Sequence, residues 1–194
     1  LNRIIIDDVL LDDQSGQEML KVTRLSAKFD IMPFFKGKIS ISSVQLFGFN
    51  INLRKETPES PPNFKFVLDA FASKDTVKKE NSLDLRINSI LIRRGRMSYH
   101  VLSEEETPGK FNAKHIQLQN IIANISLKAL SKDSLNLGIK RLSLDEKASG
   151  FSLKKMSLKL VANNKQTNID NFTIELPETS LKLDTIHLEY DSLK

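Results

Sequence analysis

The sequence predicts a mainly β chain: a long, strongly curved antiparallel sheet, groove-like and built from a repeat, with one short helix covering an end or edge. Three observations predict it. The spelling apolar-x-apolar-x-x-apolar-x-apolar recurs in clear copies at 39–46, 85–92, 137–144, 151–158 and 181–188, with looser copies at 20–27, 111–118 and 167–174. From Leu137 the copies start at 137, 151, 167 and 181, intervals of 14, 16 and 14 residues, with polar turns between them. Helical periodicity is convincing in a single stretch. Alternation of apolar residues means strand, because successive strand side chains point to opposite faces. The double spacer flips the parity, so a bulge or bend is needed there to keep the apolar residues on one face.

The elements follow in order. Residues 4–11 (Ile4, Ile5, Ile6, Val9, Leu10, Leu11) read as a first strand ending in the polar turn 12–17. Strand pattern resumes from Leu20 to Phe29 and breaks at Pro33 and Gly37. The stretch 38–55 holds one motif, then Gly48, then Phe49, Ile51 and Leu53; Gly48 is either a tight turn or a second bulge. Residues 1–55 thus form the first strands, and 56–82 a Pro-rich loop plus helix, punctuated by Pro58, Pro61 and Pro62. Within it Phe64, Val67, Leu68 and Phe71 fall at i, i+3, i+4, i+7, which predicts a helix over 64–73 with Asn63 as its N-cap. Residues 83–194 read as a strand meander. Gly95 separates 85–92 from Met97, Tyr99 and Val101, and 104–109 is an acidic turn. Eight-residue motifs joined by short turns fit antiparallel pairing, since a parallel crossover needs about a dozen connecting residues. The whole is one β-rich segment.

Composition bounds the function. Net charge is +5, from 29 basic and 24 acidic residues, a mild and scattered excess that permits contact with anionic head groups but falls short of a nucleic-acid footprint. The lack of Trp and an aromatic share of 7% argue against a base-stacking surface or a carbohydrate platform. There is no Cys, so disulfide and thiolate chemistry are excluded. No run of about 18 apolar residues spans a membrane as a helix. The chain starts at Leu1 without an initiator Met, and is expected to be a piece of a larger protein.

Catalysis needs convergent polar groups, and no such constellation is legible. His100 and His187 alternate with apolar residues and are expected to face solvent, while His115 lies in a spacer; no Cys or His-x-x-x-His arrangement suggests a metal. Asp7-Asp8 and Asp12-Asp13 lack calcium-loop spacing and read as solvated turn acids. No glycine-rich phosphate loop, nucleophile elbow or Ser-x-x-Lys occurs. The reading is therefore no enzyme, no cofactor and no metal. Arg93, Arg94 and Arg96 form the densest basic spot, either a charged turn or a head-group contact.

What remains is the apolar face. One short helix cannot cover eight or more strands, so the sheet either closes on itself or leaves a lined groove. An acyl chain gains about 0.8 kcal/mol per buried CH₂, so one of ~16 carbons would offset on the order of 10 kcal/mol of exposure. Candidate lining residues are Ile39, Ile41, Val44, Leu46, Leu85, Ile87, Ile90, Ile92, Leu137, Ile139, Leu142 and Leu144.

Several stretches resemble the periplasmic part of TamB-like proteins of the AsmA-like superfamily, in the form found in Bacteroidetes. They are 12–22 (DDQSGQEMLKV), 29–39 (FDIMPFFKGKI) leading into Ile39–Leu53, 63–71 (NFKFVLDAF) and 142–151 (LSLDEKASGF). The resemblance covers most of the chain and rests on strand-period patterns. It implies a taco-shaped β-structure in the periplasm, anchored upstream in the inner membrane by one helix, whose channel carries phospholipid toward the outer membrane. It further implies an outer-membrane barrel protein as a possible partner through a C-terminal part not included here, as in the translocation and assembly module of envelope biogenesis. The rival expectation is a structural or assembly scaffold for outer-membrane protein insertion, its apolar face buried wholly in protein.

Overall fold

The computed structural model describes residues 2–30, 40–72, 86–130 and 134–190. Nine strands form one sheet in sequence order: β1 (Asn2–Asp12), β2 (Glu18–Asp30), β3 (Ser40–Lys55), β4 (Arg86–Val101), β5 (His115–Leu130), β6 (Ser134–Glu146), β7 (Ser152–Asn163), β8 (Gln166–Glu175) and β9 (Ser180–Glu189). A single described helix, α1 (Lys65–Ala72), stands between β3 and β4. The sheet is not closed: β1 and β9 are its two edges.

The sheet is mixed, not antiparallel throughout. β3 and β4 run parallel, with Ser40 beside Arg86 and Lys55 beside Val101, while every other neighbouring pair is antiparallel. The connection explains the exception. Residues 56–85 separate these strands, well above the dozen or so a parallel crossover needs, whereas short turns join β6 to β9 as a meander.

The double spacers are register irregularities. β2 alternates without interruption through Leu25, Ala27 and Phe29, and these pair with Leu46, Val44 and Ile41. Paired residues share a face, so Ile41 and Val44 face the same way despite standing three apart. The same argument works from β5, where Leu127 and Ile125 pair with Ile87 and Ile90 on one side and with Leu137 and Ile139 on the other. On β7, Met156 and Leu158 pair with Leu142 and Ile139, which absorbs the spacer at 140–141. Pairing also shifts at 154–155 and 170–171. At 23–24 and 184–185 it does not shift, and Phe111 and Ala113 of the loose copy at 111–118 lie ahead of β5.

A second parity flip crosses several strands together. Ile6 and Val9 pair with Leu25 and Val22, and these with Leu46 and Phe49, so three strands carry their flips side by side. Left-handed backbone accompanies it at Asp8 (φ 55°), Gly48 (φ 64°), Arg94 (φ 55°) and Asn120 (φ 55°), and recurs at Asn171. Gly48 thus lies within a continuous strand and is not a turn; the register runs on unshifted across it, its backbone is left-handed, and a Cβ there would stand 2.6 Å from Thr23 Oγ1. Gly95 likewise does not divide the strand pattern. β4 runs through it, and the Phe49 ring fills the space a side chain at 95 would need, with Ile121 Cβ 3.0 Å away.

The buried core sits along this line of parity flips. Val22, Phe49 and Ile121 form its centre, and Val9, Leu20, Leu25, Leu46, Ile51, Ile92, Met97, Leu118, Leu142 and Leu144 pack against them. Helix α1 lies within the expected 64–73, but Asn63 does not cap it. Its Oδ1 accepts the Arg54 backbone N–H (3.0 Å), and its Nδ2 donates to the Asn52 carbonyl and to Asp13 Oδ2. Lys65, Phe66 and Asp69 line a small cleft shared with Asp13, Ser15 and Arg54, which puts the helix beside one end of the sheet.

Candidate functional site

Register aligns the apolar residues into rows that cross the strands. One row runs Phe29, Ile41, Ile87, Leu127, Leu137, Leu160, Ile169, Ile186, each paired with the next from β2 to β9. The next is Ala27, Val44, Ile90, Ile125, Ile139, Leu158. A third spans all nine strands as Ile6, Leu25, Leu46, Ile92, Ala123, Leu142, Met156, Ile174, Leu181. Because Leu25, Ala27 and Phe29 alternate on one strand, the three rows share one face.

Nine of the candidate lining residues lie in these rows, and Leu144 follows on β6 paired with Leu153. Leu46, Ile92, Leu142 and Leu144 lean on the Val22–Phe49–Ile121 core. Ile41, Val44, Ile87, Ile90, Leu137 and Ile139 are half-buried. Ile39 and Leu85 lie outside the described residues. Sequence alone missed Phe29, Leu127, Leu160, Ile169 and Ile186, since a row becomes visible only when pairing is known. Side chains at both edges remain open, with Ile4 52% and Leu188 49% exposed.

The opposite face is mixed, with polar rows beside exposed Ile5 and Phe47. The row Ser126, Gly138, Lys159, Asp170 alternates with the apolar one, and an open depression of about 480 Å³ over Gly138 is also bordered by Lys128 and Lys140. Arg93, Arg94 and Arg96 are exposed within β4 and do not form a turn. Arg94 sets its guanidinium 5.2 Å from the centre of the Phe47 ring, a cation–π contact on the outer surface.

Polar chemistry gathers at one end of the sheet. Asp13 is 7% exposed, contrary to the solvated turn acid expected there. Its Oδ1 accepts from the Ser15 hydroxyl (2.6 Å) and from the Ser15 and Gln17 N–H groups, and its Oδ2 from Arg54 (2.6 Å) and Asn63. The Ser15 hydroxyl, followed by Asn63 and the backbone donors, holds the Asp13 carboxyl far below the usual range, against the opposing effect of burial. Glu146 repeats the device. Burial pushes its carboxyl up, but hydrogen bonds from Ser149, Ala148 and Gln117 outweigh this and leave it lowered. Asp145 beside it is lowered by Asn120 and Ser152.

His100 and His115 meet at this end as a cross-strand pair, with Nδ1 to Nδ1 3.0 Å. His100 therefore does not simply face solvent, and His115 is buried, while His187 is exposed as expected and bonds to Asn168 and Glu189. The only signal for the pairing is register, because fifteen residues separate the two histidines. Among the described residues no helix is long and apolar enough to cross a membrane. No family model matches the chain, and no curated protein matches it.

Proposed function

We propose that this chain is a non-enzymatic segment of a TamB-like protein of the AsmA-like superfamily, whose apolar face lines a groove for the acyl chains of phospholipids. The observation that supports it is the single layer. Three apolar rows cross the sheet, and among the described residues no second layer lies over them. Fully burying a side chain such as Ile90 or Leu137 gains about 1.5–3 kcal/mol relative to exposure, so a half-buried row leaves free energy for a ligand to take. An acyl chain has no polar group to satisfy and fits such a row at any register. The bulges and the shared crease would curve the sheet around it, giving the taco shape that the resemblance implies.

In this reading the segment works in the periplasm, with an inner-membrane anchor upstream and an outer-membrane barrel protein as partner downstream. Phospholipid passes between the membranes along the rows, and the exposed Arg93, Arg94 and Arg96 offer head groups a basic contact on β4. The scaffold alternative draws on the Val22–Phe49–Ile121 core, which already buries part of the face in protein.

Native mass spectrometry of gently purified chain decides between the two. Phospholipid retained by the parent chain and lost in a folded Ile90→Glu variant is the expected result. Reproducible absence of lipid from the parent overturns the conduit, as does lipid that the folded variant retains equally well.

A further inference from the structure

We propose that His100, His115 and Glu106 form a site for a divalent transition-metal ion, zinc being the best match. The two imidazoles come from opposite strands, His100 near the end of β4 and His115 at the start of β5, paired in register. Glu106 comes from the loop that joins them. One ligand atom from each residue lies within 4.8 Å of the others, with Glu106 Oε1 4.0 Å from His100 Nδ1.

The surroundings fix which nitrogens face the site. His115 Nε2 is 2.9 Å from the Glu104 carbonyl oxygen, an acceptor only, so Nε2 carries the proton and Nδ1 presents a lone pair toward His100. A backbone carbonyl on the far nitrogen is how metal-ligating histidines are commonly oriented. Without metal, one proton on His100 Nδ1 joins the rings. An ion in its place takes both lone pairs, the displaced proton moving to His100 Nε2, once the nitrogens part from 3.0 Å to roughly 3.3 Å, the edge of a tetrahedron with zinc–nitrogen bonds of ~2.0–2.1 Å.

Two imidazoles and a carboxylate suit zinc, copper or nickel better than calcium or magnesium, which prefer all-oxygen sets. Glu104, Glu105 and Glu106 make the local field negative, and the nearby cation Lys114 is paired with Glu104 at 2.7 Å. Bound metal would staple the 102–114 loop to the strand ends. The same loop already docks on the β6–β7 turn through the Gly109 N–H to the Ala148 carbonyl.

Chelator-treated chain titrated with zinc chloride in a calorimeter tests this, with cobalt chloride absorption as a second readout. The expected result is one zinc per chain, roughly tenfold or more weaker in His100→Ala and less weakened in Glu106→Gln, with an intense tetrahedral cobalt band in the parent. Far-ultraviolet circular dichroism confirms that each variant is folded, and Glu106→Gln, altered only on an exposed loop side chain, keeps the test valid if a histidine variant is not. Absence of stoichiometric zinc binding overturns the site, as does binding that folded His100→Ala and Glu106→Gln leave unchanged. Lipid plays no part in either readout.

Discussion

The middle of the sheet and its loop-bearing end are held by different physics. In the middle, rows of aliphatic side chains cross the strands, and most are half-buried because nothing among the described residues lies over them. At the end, Asp13, His115 and Glu146 are buried, and each is bonded to the chain around it. Apolar contact grows with area and tolerates shifts in position, whereas a buried carboxylate is stable only while its donors stay in place. The end therefore fixes the positions of the strands, and the middle holds together by apolar area.

The largest test of that contrast is Phe49→Ala. Its ring sits over Gly95 at the centre of the buried core, and its removal is expected to lower stability by about 3–5 kcal/mol in urea unfolding. A loss below about 1 kcal/mol would mean that the middle lacks a packed centre. Next is Asp13→Ala, which removes the buried carboxylate that accepts from Ser15, Gln17, Arg54 and Asn63 and is expected to cost about 1.5–3 kcal/mol, the range for hydrogen bonds to a charged group.

The pH dependence sharpens the reading of the end. The Asp13 carboxyl is held below its unfolded value, so its contribution is complete above about pH 4 and is lost as pH falls through the folded value. Parent and variant should converge in acid, and parallel profiles would show that the carboxylate is not the anchor. The smallest effect is Gly48→Ala, expected at about 1–2 kcal/mol from the left-handed backbone, with thermal unfolding as the measure. No change there would show that the strand accommodates a side chain at 48 without strain.

Much of this was legible in the sequence. The double spacers at 42–43, 88–89 and 140–141 predicted irregular pairing, and the pairing is irregular there. The second flip showed only in part, at the spacer 23–24 and at Gly48. Asp8, Asn120 and Asn171 are residue types that tolerate left-handed backbone, but Arg94 is not, and an arginine beside a glycine gives no such hint. Parallel pairing of β3 with β4 was illegible because apolar alternation is the same in either direction. The buried acid at Asp13 looked like any turn residue, since its partners Arg54 and Asn63 are 41 and 50 residues away.

That parallel pair also sets the order in which the chain can assemble. β1–β2 and the hairpins from β4 onward join near neighbours in sequence, through loops that close quickly. Ser40 and Arg86, like Lys55 and Val101, are 46 residues apart. Loop-closure entropy must be met before any of that pairing is rewarded. Two local meanders therefore form early and dock late, and the seam between β3 and β4 is where folding would pause and where two copies could exchange halves.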